Sequence, residues 1–164
     1  MLDSIFNWLD LHSQGIQALF VSLSVISAVI IYWRTSVNQR RVALVSMILQ
    51  NQASESVKQA TQRMRSLYEQ NNHSLKSFVH KNDEDLKAIL TVANHYEFMA
   101  VAIHQGAFDE DTYKALEYSN VMRNWNVLED FIKEARATHS NQTWFQDFEK
   151  LVADWKKSPL KTVR

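Results

Sequence analysis

Lysine, glutamine and arginine side chains recur on one face of a predicted helix in the middle of the chain. Lys58, Gln62 and Arg65 are spaced i, i+4 and i+7, so a helix aligns them along one face. Because Lys and Arg supply positive charge and an amide supplies selective hydrogen bonds, this pattern predicts an anion site that suits a phosphodiester ligand. The alternative is a solvated basic surface that faces anionic lipid headgroups. The residues alone leave both interpretations open.

The candidate anion site extends into the segment that follows this helix. Residues 34–81 carry eight Lys and Arg against two Glu, whereas residues 1–33 carry only two Asp and residues 82–164 carry an excess of acid. A net charge of zero therefore conceals a basic segment between two acidic ends, and residues 34–81 are called the basic collar below. The other candidate ligand-binding residues of the collar lie in and after a predicted loop: Asn72, His73, Lys76 and His80.

Motifs for catalysis and cofactor binding do not occur in the sequence. The 164 residues include no Cys and only two Gly, which excludes thiolate chemistry and a Gly-rich phosphate loop. No two His residues stand four apart, the spacing that two zinc ligands on one helix would need. We therefore expect a protein that is not an enzyme and that binds no cofactor and no metal.

An uncharged apolar segment lies near the N-terminus. No Asp, Glu, Lys or Arg occurs between residues 11 and 33. Because about 20 helical residues cross a hydrocarbon core of about 30 Å, we predict a transmembrane helix over about residues 14–34. Arg34, Arg40 and Arg41 follow the segment directly, which predicts a single-pass protein of the inner membrane with its C-terminal part in the cytoplasm.

This segment sets the predicted domain organisation. Residues 1–39 form a membrane anchor, in which an interfacial helix precedes the span, and residues 40–164 form a cytoplasmic domain. One alternative is a buried core helix, which the flanking Trp and Tyr residues disfavour. The other is a cleaved signal peptide, which the acidic N-terminus and the lack of a small-residue cleavage site disfavour.

Four polar side chains lie on one side of the predicted span: Ser13, Gln17, Ser24 and Ser27. On a helical wheel they fall within about 80° of one another. Single Ser residues in membrane helices usually donate to their own backbone, and that is the simplest interpretation. A one-sided stripe instead favours a contact between copies of the helix or the wall of an oligomeric pore.

Apolar residues that recur at three and four predict about four helices after the span, and no strand. The first should end near Gln70. The predicted N-caps of the later helices are Asn82 or Asp83, then Asp109, then Asn141, and Gly106 should follow the end of a central helix. Val42 and Leu44 belong to a patch that should contact the core or another copy. Residues predicted to face the core include Met64, Leu67, Ile89, Val101, Leu116, Leu128 and Trp155. The expected fold class is all-α.

Three stretches resemble a bacterial family of uncharacterised helical domains with an N-terminal membrane helix: NHYEFMAVAIHQGAFDED, VMRNWNVLEDFI and WFQDFEKLVADWKK. The size and layout also resemble the membrane-bound ancillary effectors of type III CRISPR systems. This second resemblance implies a tetrameric, antiviral protein whose cytoplasmic domain binds cyclic tetra-adenylate and whose span then perturbs the lipid bilayer or opens a pore. DNA is not an expected partner. The alternative, from another class, is a membrane-anchored structural or partner-binding module with no small ligand.

Overall fold

The residues that the structure describes form five α-helices and one short 3₁₀ helix. The computed structural model describes residues 2–53, 55–81 and 83–160, and within these ranges it describes side chains at position 15, at 17–48 and from 55 onward. The helices are α1 (Leu2–Ala53), α2 (Glu55–Gln70), α3 (Glu84–His104), α4 (Glu110–His139) and α5 (Gln146–Lys157), and the 3₁₀ helix spans Lys76–His80. Since no strand occurs in these ranges, the all-α prediction is confirmed.

The chain divides into two compact units, residues 1–39 and residues 40–164. The first unit is helical and exposes its large apolar side chains, among them Phe20 and Trp33. Helix α1 contains one stretch, Gln17–Ile48, that is long and apolar enough to cross a membrane, and the most apolar part of that stretch is not buried. A core helix of this composition would be buried. The exposure of this segment therefore argues against the alternative of a buried core helix. The cytoplasmic orientation stays a prediction.

The second unit packs its helices around α3. Helix α3 lies against α2 and α5, and α4 lies against the 3₁₀ helix. Helix α1 contributes Leu44 and Ile48 to this core. The five largest side chains that are fully buried come from the 3₁₀ helix, α4 and α5: Phe78, Tyr113, Phe131, Phe148 and Trp155. Each of them buries a large apolar area, which favours folding of this unit.

Most helix ends lie where the sequence predicts them. Helix α2 ends at Gln70, and the carboxylate of Asp83 caps α3 by accepting from the backbone N–H groups of residues 85 and 86. Gly106 follows the end of α3 with φ +69°, a left-handed conformation that costs glycine little. Asp109 caps α4 by accepting from the backbone of Thr112. Local sequence determines these ends because each cap lies within a few residues of its partners.

The predicted N-cap of the last helix is wrong. Asn141 Oδ1 accepts from the backbone and hydroxyl of Thr143, so it closes a turn ahead of the helix. Helix α5 starts after Phe145, which has φ 56° and provides no side-chain cap. The carboxylate of Glu97, on α3, accepts instead from the backbone N–H groups of Phe148 at 2.8 Å and residue 147 at 3.4 Å. A tertiary contact therefore replaces the local cap.

Two residues that were predicted to face the core are exposed. Leu116 is 54% exposed, and it lies about 140° around α4 from the buried Val121. Val101 is 37% exposed, two positions before the buried residue 103. In both cases the predicted stripe was drawn wider than the face that neighbouring helices cover. Val42 is 65% exposed, about 200° around α1 from the buried Leu44, so of its two predicted contacts the one with another copy stays a prediction.

Replacement of Glu97 should destabilise the start of α5. We expect Glu97→Ala to lower the free energy of unfolding by about 1–2 kcal/mol, because two backbone N–H groups lose their acceptor. The measurement is chemical unfolding of the full-length protein, followed by far-UV circular dichroism. Glu69→Ala, an exposed position of α2, is the control and should change stability by less than about 0.5 kcal/mol. Equal stability of the two variants would contradict the capping role of Glu97.

Candidate functional site

A pocket of about 360 Å³ opens between α2, α3 and α4 within residues 40–164. Its volume is at the lower end of the range of small-molecule sites. We call the α2 residues of this lining one wall, the polar α4 residues the other wall, and the α3 residues together with Tyr113 of α4 the floor; Ile48 of α1 also lines the pocket. Because its polar groups come from three different helices, the folded domain and not a single segment creates this pocket.

The α2 wall carries the helix face that the sequence predicts as an anion site. Lys58, Gln62 and Arg65 all line the pocket. The opposite face of α2 is apolar and buried, through Ala60, Met64 and Leu67, so packing of that face turns the polar face toward the pocket. Lys58 and Gln62 are exposed at the rim, and Arg65 is partly buried. The structure therefore brings these three predicted residues into one site.

Arg65 is a partly buried cation that forms no ion pair with the described residues. Its Nη2 donates to Asn124 Oδ1 at 3.2 Å. Its Nε is closed off from solvent and has no hydrogen-bond partner among the described residues. The ion pairs of the described residues also do not include Arg65. A guanidinium offers five N–H donors, and the described residues accept from only one nitrogen of Arg65.

Asn124 connects Arg65 to Tyr96 and determines the direction of the hydrogen bonds. Since a guanidinium can only donate, the amide oxygen of Asn124 must face Arg65. The amide nitrogen then donates to Tyr96 Oη at 2.6 Å. Asn124 is only 1% exposed, which makes it the one buried polar side chain among the described residues. The hydroxyl proton of Tyr96 is not used in this bond and can be donated to a ligand.

Burial keeps the groups on the pocket floor uncharged. Desolvation raises the pKa of Tyr96 to about 12, so this hydroxyl stays protonated near neutral pH. Burial raises the pKa of Tyr113 as well, and burial lowers the pKa of His95. The Tyr96 ring is held in place by stacking on Phe148, with centroids 5.1 Å apart. The floor therefore presents neutral aromatic groups and one hydroxyl donor.

The α4 wall presents hydrogen-bond acceptors. Glu117 and Asn120 line the pocket about two turns and one turn before Asn124, respectively. The amide nitrogen of Asn120 donates to Glu117 Oε2 at 2.9 Å. Two cations on α2 thus face one carboxylate on α4, and the polar lining has an excess of positive charge. Such a pocket favours a ligand with an anionic end and a hydrogen-bond-donating end.

The remaining candidates of the basic collar lie outside this pocket. Asn72 and His73 follow α2 in a turn, both with positive φ, and the His73 ring contacts the edge of Tyr68. Lys76 and His80 are the first and last residues of the 3₁₀ helix, and both are exposed. None of the four lines the pocket. The collar therefore separates into a pocket wall and an exposed loop region.

The polar stripe of α1 is described in part. Gln17, Ser24 and Ser27 are exposed, whereas the side chain of Ser13 lies outside the described residues. Ser24 donates to the backbone oxygen of Phe20 at 2.8 Å, and Ser22 donates likewise to Ala18. These bonds are the ones expected of single Ser residues in a membrane helix. A contact between copies or a pore wall stays a prediction.

Five polar residues outside α2 line the pocket although the sequence did not predict them as site residues: His95, Tyr96, Glu117, Asn120 and Asn124. A signal for Asn124 was available, because this amide interrupts the apolar stripe between Val121 and Leu128. An amide at such a position must find partners inside the fold. No group of three or more His, Asp or Glu with the geometry of a metal site occurs in the part of the chain that the structure describes.

Comparison with known proteins identifies the family of this chain. A family model described as a domain of unknown function, DUF4760, matches residues 18–155. The chain belongs to the DUF4760 family. The match includes the apolar part of α1 as well as the helices that line the pocket. No curated protein and no solved structure matches this DUF4760 protein. CRISPR association and cyclic oligoadenylate binding stay predictions.

Proposed function

We propose that this DUF4760 protein is a membrane-anchored effector whose helical domain binds an anionic nucleotide messenger in the pocket between α2, α3 and α4. Cyclic tetra-adenylate is the ligand that the sequence resemblance implies. Binding would then act on α1 and perturb the bilayer or open a pore, in antiviral defence. No catalytic step is part of this proposal.

The unpaired charge of Arg65 is the observation that carries the proposal. A partly desolvated cation is costly unless an anion or several acceptors compensate it. Arg65 has one hydrogen bond, to a neutral amide, and Lys58 adds a second positive charge at the pocket rim. Tyr96 adds a protonated hydroxyl beside the same amide. These three donors suit the oxygens of a phosphate or phosphodiester.

The size of the pocket bears on how a cyclic ligand would bind. A volume of about 360 Å³ suits one nucleotide unit, whereas a ring of four nucleotides is several times larger. A cyclic tetranucleotide would therefore place one unit in each of four copies of the domain, which suits the predicted homotetramer. Simultaneous occupation of several pockets would raise the affinity well above that of one nucleotide.

Helix α1 provides a route from ligand to membrane. Ile48 lines the pocket, and it belongs to the same helix as the apolar segment that is suited to a bilayer. A ligand that favours one packing of Ile48 would therefore favour one state of α1. Such a shift is limited by the difference between the ligand's affinities for the two states.

Calorimetric titration of the full-length protein in lipid nanodiscs tests the proposal. We expect cyclic tetra-adenylate to bind with a Kd of about 1 µM or below and, at saturation, to raise Tm by several degrees. ATP, a single adenine nucleotide of similar charge, is the monovalent comparison and should bind at least about tenfold more weakly, because it occupies one pocket only. Absence of both heat and thermal shift with cyclic tetra-adenylate would overturn the messenger-binding proposal.

The second candidate function is a partner-binding module without a small ligand. Phe98 and Leu116 favour it, because both are more than half exposed on the helical domain. The titration separates the two candidates, since a module of this kind gives no heat and no shift with any nucleotide.

A further inference from the structure

Glu117 is an unexpected residue in a pocket that attracts anions. It lines the same cavity as Lys58 and Arg65, yet it belongs to none of the ion pairs of the described residues. A carboxylate that no cation neutralises repels any phosphate that approaches it. The ligand must therefore present a different group to the α4 wall than to the α2 wall.

The hydrogen bond between Asn120 and Glu117 determines what the α4 wall can accept. Asn120 uses its amide nitrogen to donate to Glu117 Oε2 at 2.9 Å. The groups left for a ligand are then the second carboxylate oxygen of Glu117, the amide oxygen of Asn120 and the second N–H of Asn120. Because the two oxygens are acceptors and the wall is negatively charged, it suits a ligand group with two N–H donors.

We propose that Glu117 and Asn120 recognise the exocyclic amino group of a nucleotide base, while Lys58, Arg65 and Tyr96 hold the phosphate of the same nucleotide unit. This inference rests on the proposed function and deepens it, because it assigns the two ends of the ligand to the two walls. Adenine and cytosine carry such an amino group. Uracil and hypoxanthine carry an oxo group at the same position, and its lone pairs would face the Glu117 carboxylate.

The floor of the pocket is consistent with a flat ring between these two ends. Met99 and Tyr113 line it with apolar and aromatic surface, and both are almost completely buried. Sites that are built to hydrogen-bond one group discriminate strongly against an analogue that lacks it, because their own polar groups are left unpaired. Glu117 and Asn120 should therefore discriminate between a base with an amino group and one with an oxo group more strongly than the shape of the pocket does.

The test compares cyclic tetra-adenylate with its tetra-inosinate counterpart, in which every amino group is replaced by an oxo group. For the full-length wild-type protein in nanodiscs, we expect calorimetry to give at least about tenfold weaker binding of the inosine ring. Glu117→Gln should reduce this ratio to about threefold or less, because a glutamine amide can turn its N–H₂ toward an oxo group. Lys58→Ala should weaken both rings by the same factor and leave the ratio unchanged, since Lys58 contacts only the phosphate end.

The outcomes distinguish this inference from the proposed function. If the wild-type protein binds both rings equally, or if Glu117→Gln preserves the ratio, base recognition by the α4 wall is wrong while messenger binding stands. If neither ring binds, the proposed function is overturned and this inference falls with it. Both the proposed function and this inference are supported if the wild-type protein prefers the adenine ring by about tenfold or more and Glu117→Gln reduces that preference to about threefold or less.

Discussion

Removal of both pocket cations, in the double variant Lys58→Ala with Arg65→Ala, should weaken binding of cyclic tetra-adenylate by at least about 100-fold. Charge-assisted hydrogen bonds contribute about 1.5–3 kcal/mol each, and the loss of two of them exceeds the 2.7 kcal/mol or so that a 100-fold change requires. The measurement is calorimetric titration of the full-length protein in nanodiscs. Undiminished affinity would mean that the ligand binds elsewhere.

The fold should survive this double substitution. The variant leaves Asn124 Oδ1 without its donor, which costs about 1–3 kcal/mol of a total stability of about 5–15 kcal/mol. If the variant nevertheless unfolds, a second double variant, Lys58→Ala with Arg65→Gln, takes its place. It also removes both positive charges, but the glutamine amide retains a donor near Asn124. The matched control is Arg63→Ala with Lys87→Ala, which removes two cations that pair with Asp85 and Glu84 outside the pocket. The control should bind as tightly as the wild-type protein.

The single substitution Asn124→Asp should abolish binding to a similar degree while the domain stays folded. An aspartate at this position has nearly the same shape, and its carboxylate can accept from Arg65 and from the Tyr96 hydroxyl, which now donates. Arg65 then has the counter-charge that it lacks in the wild-type protein. The pocket holds two carboxylates against two cations, and we expect affinity for cyclic tetra-adenylate to fall about 100-fold.

Stability distinguishes this effect from simple damage. Because the new carboxylate is hydrogen-bonded from both sides, Tm should stay at or above the wild-type value when the ligand is absent. Asn94→Asp is the control, since it makes the same change of charge at an exposed position of α3. Its affinity should not change. An Asn124→Asp protein that binds normally would show that the free charge of Arg65 is not what attracts the ligand.

The two variants probe the same property in opposite ways. The double variant removes positive charge from α2, and Asn124→Asp adds negative charge to α4. Asn124 lies 59 positions after Arg65 in the sequence. Joint loss of binding would locate the anion between these two helices. Loss in the first variant alone would instead indicate a ligand held at the exposed side of α2, close to the collar residues that do not line the pocket.

Local patterns in the sequence determined the helical elements and much of the α2 wall. Caps such as Asp83 and Asp109 act over three or four residues, and the spacing of Lys58, Gln62 and Arg65 alone aligns them on a helix. The apolar stretch of α1 is likewise apparent from composition. These features depend on neighbours along the chain, so a helical repeat is enough to predict them.

Only the tertiary structure decided which residues complete the site. Asn124 faces Arg65, and Glu97 caps α5 51 positions away, because packing of α3 against its neighbours brings distant segments together. The same packing turns Val42 and Leu116 outward and leaves Lys76 and His80 outside the pocket. Periodicity shows that a helix has two faces, but contacts between helices determine which partner each face meets. In this protein, those contacts place Lys58, Gln62 and Arg65 of α2 in a pocket that residues of α4 also line.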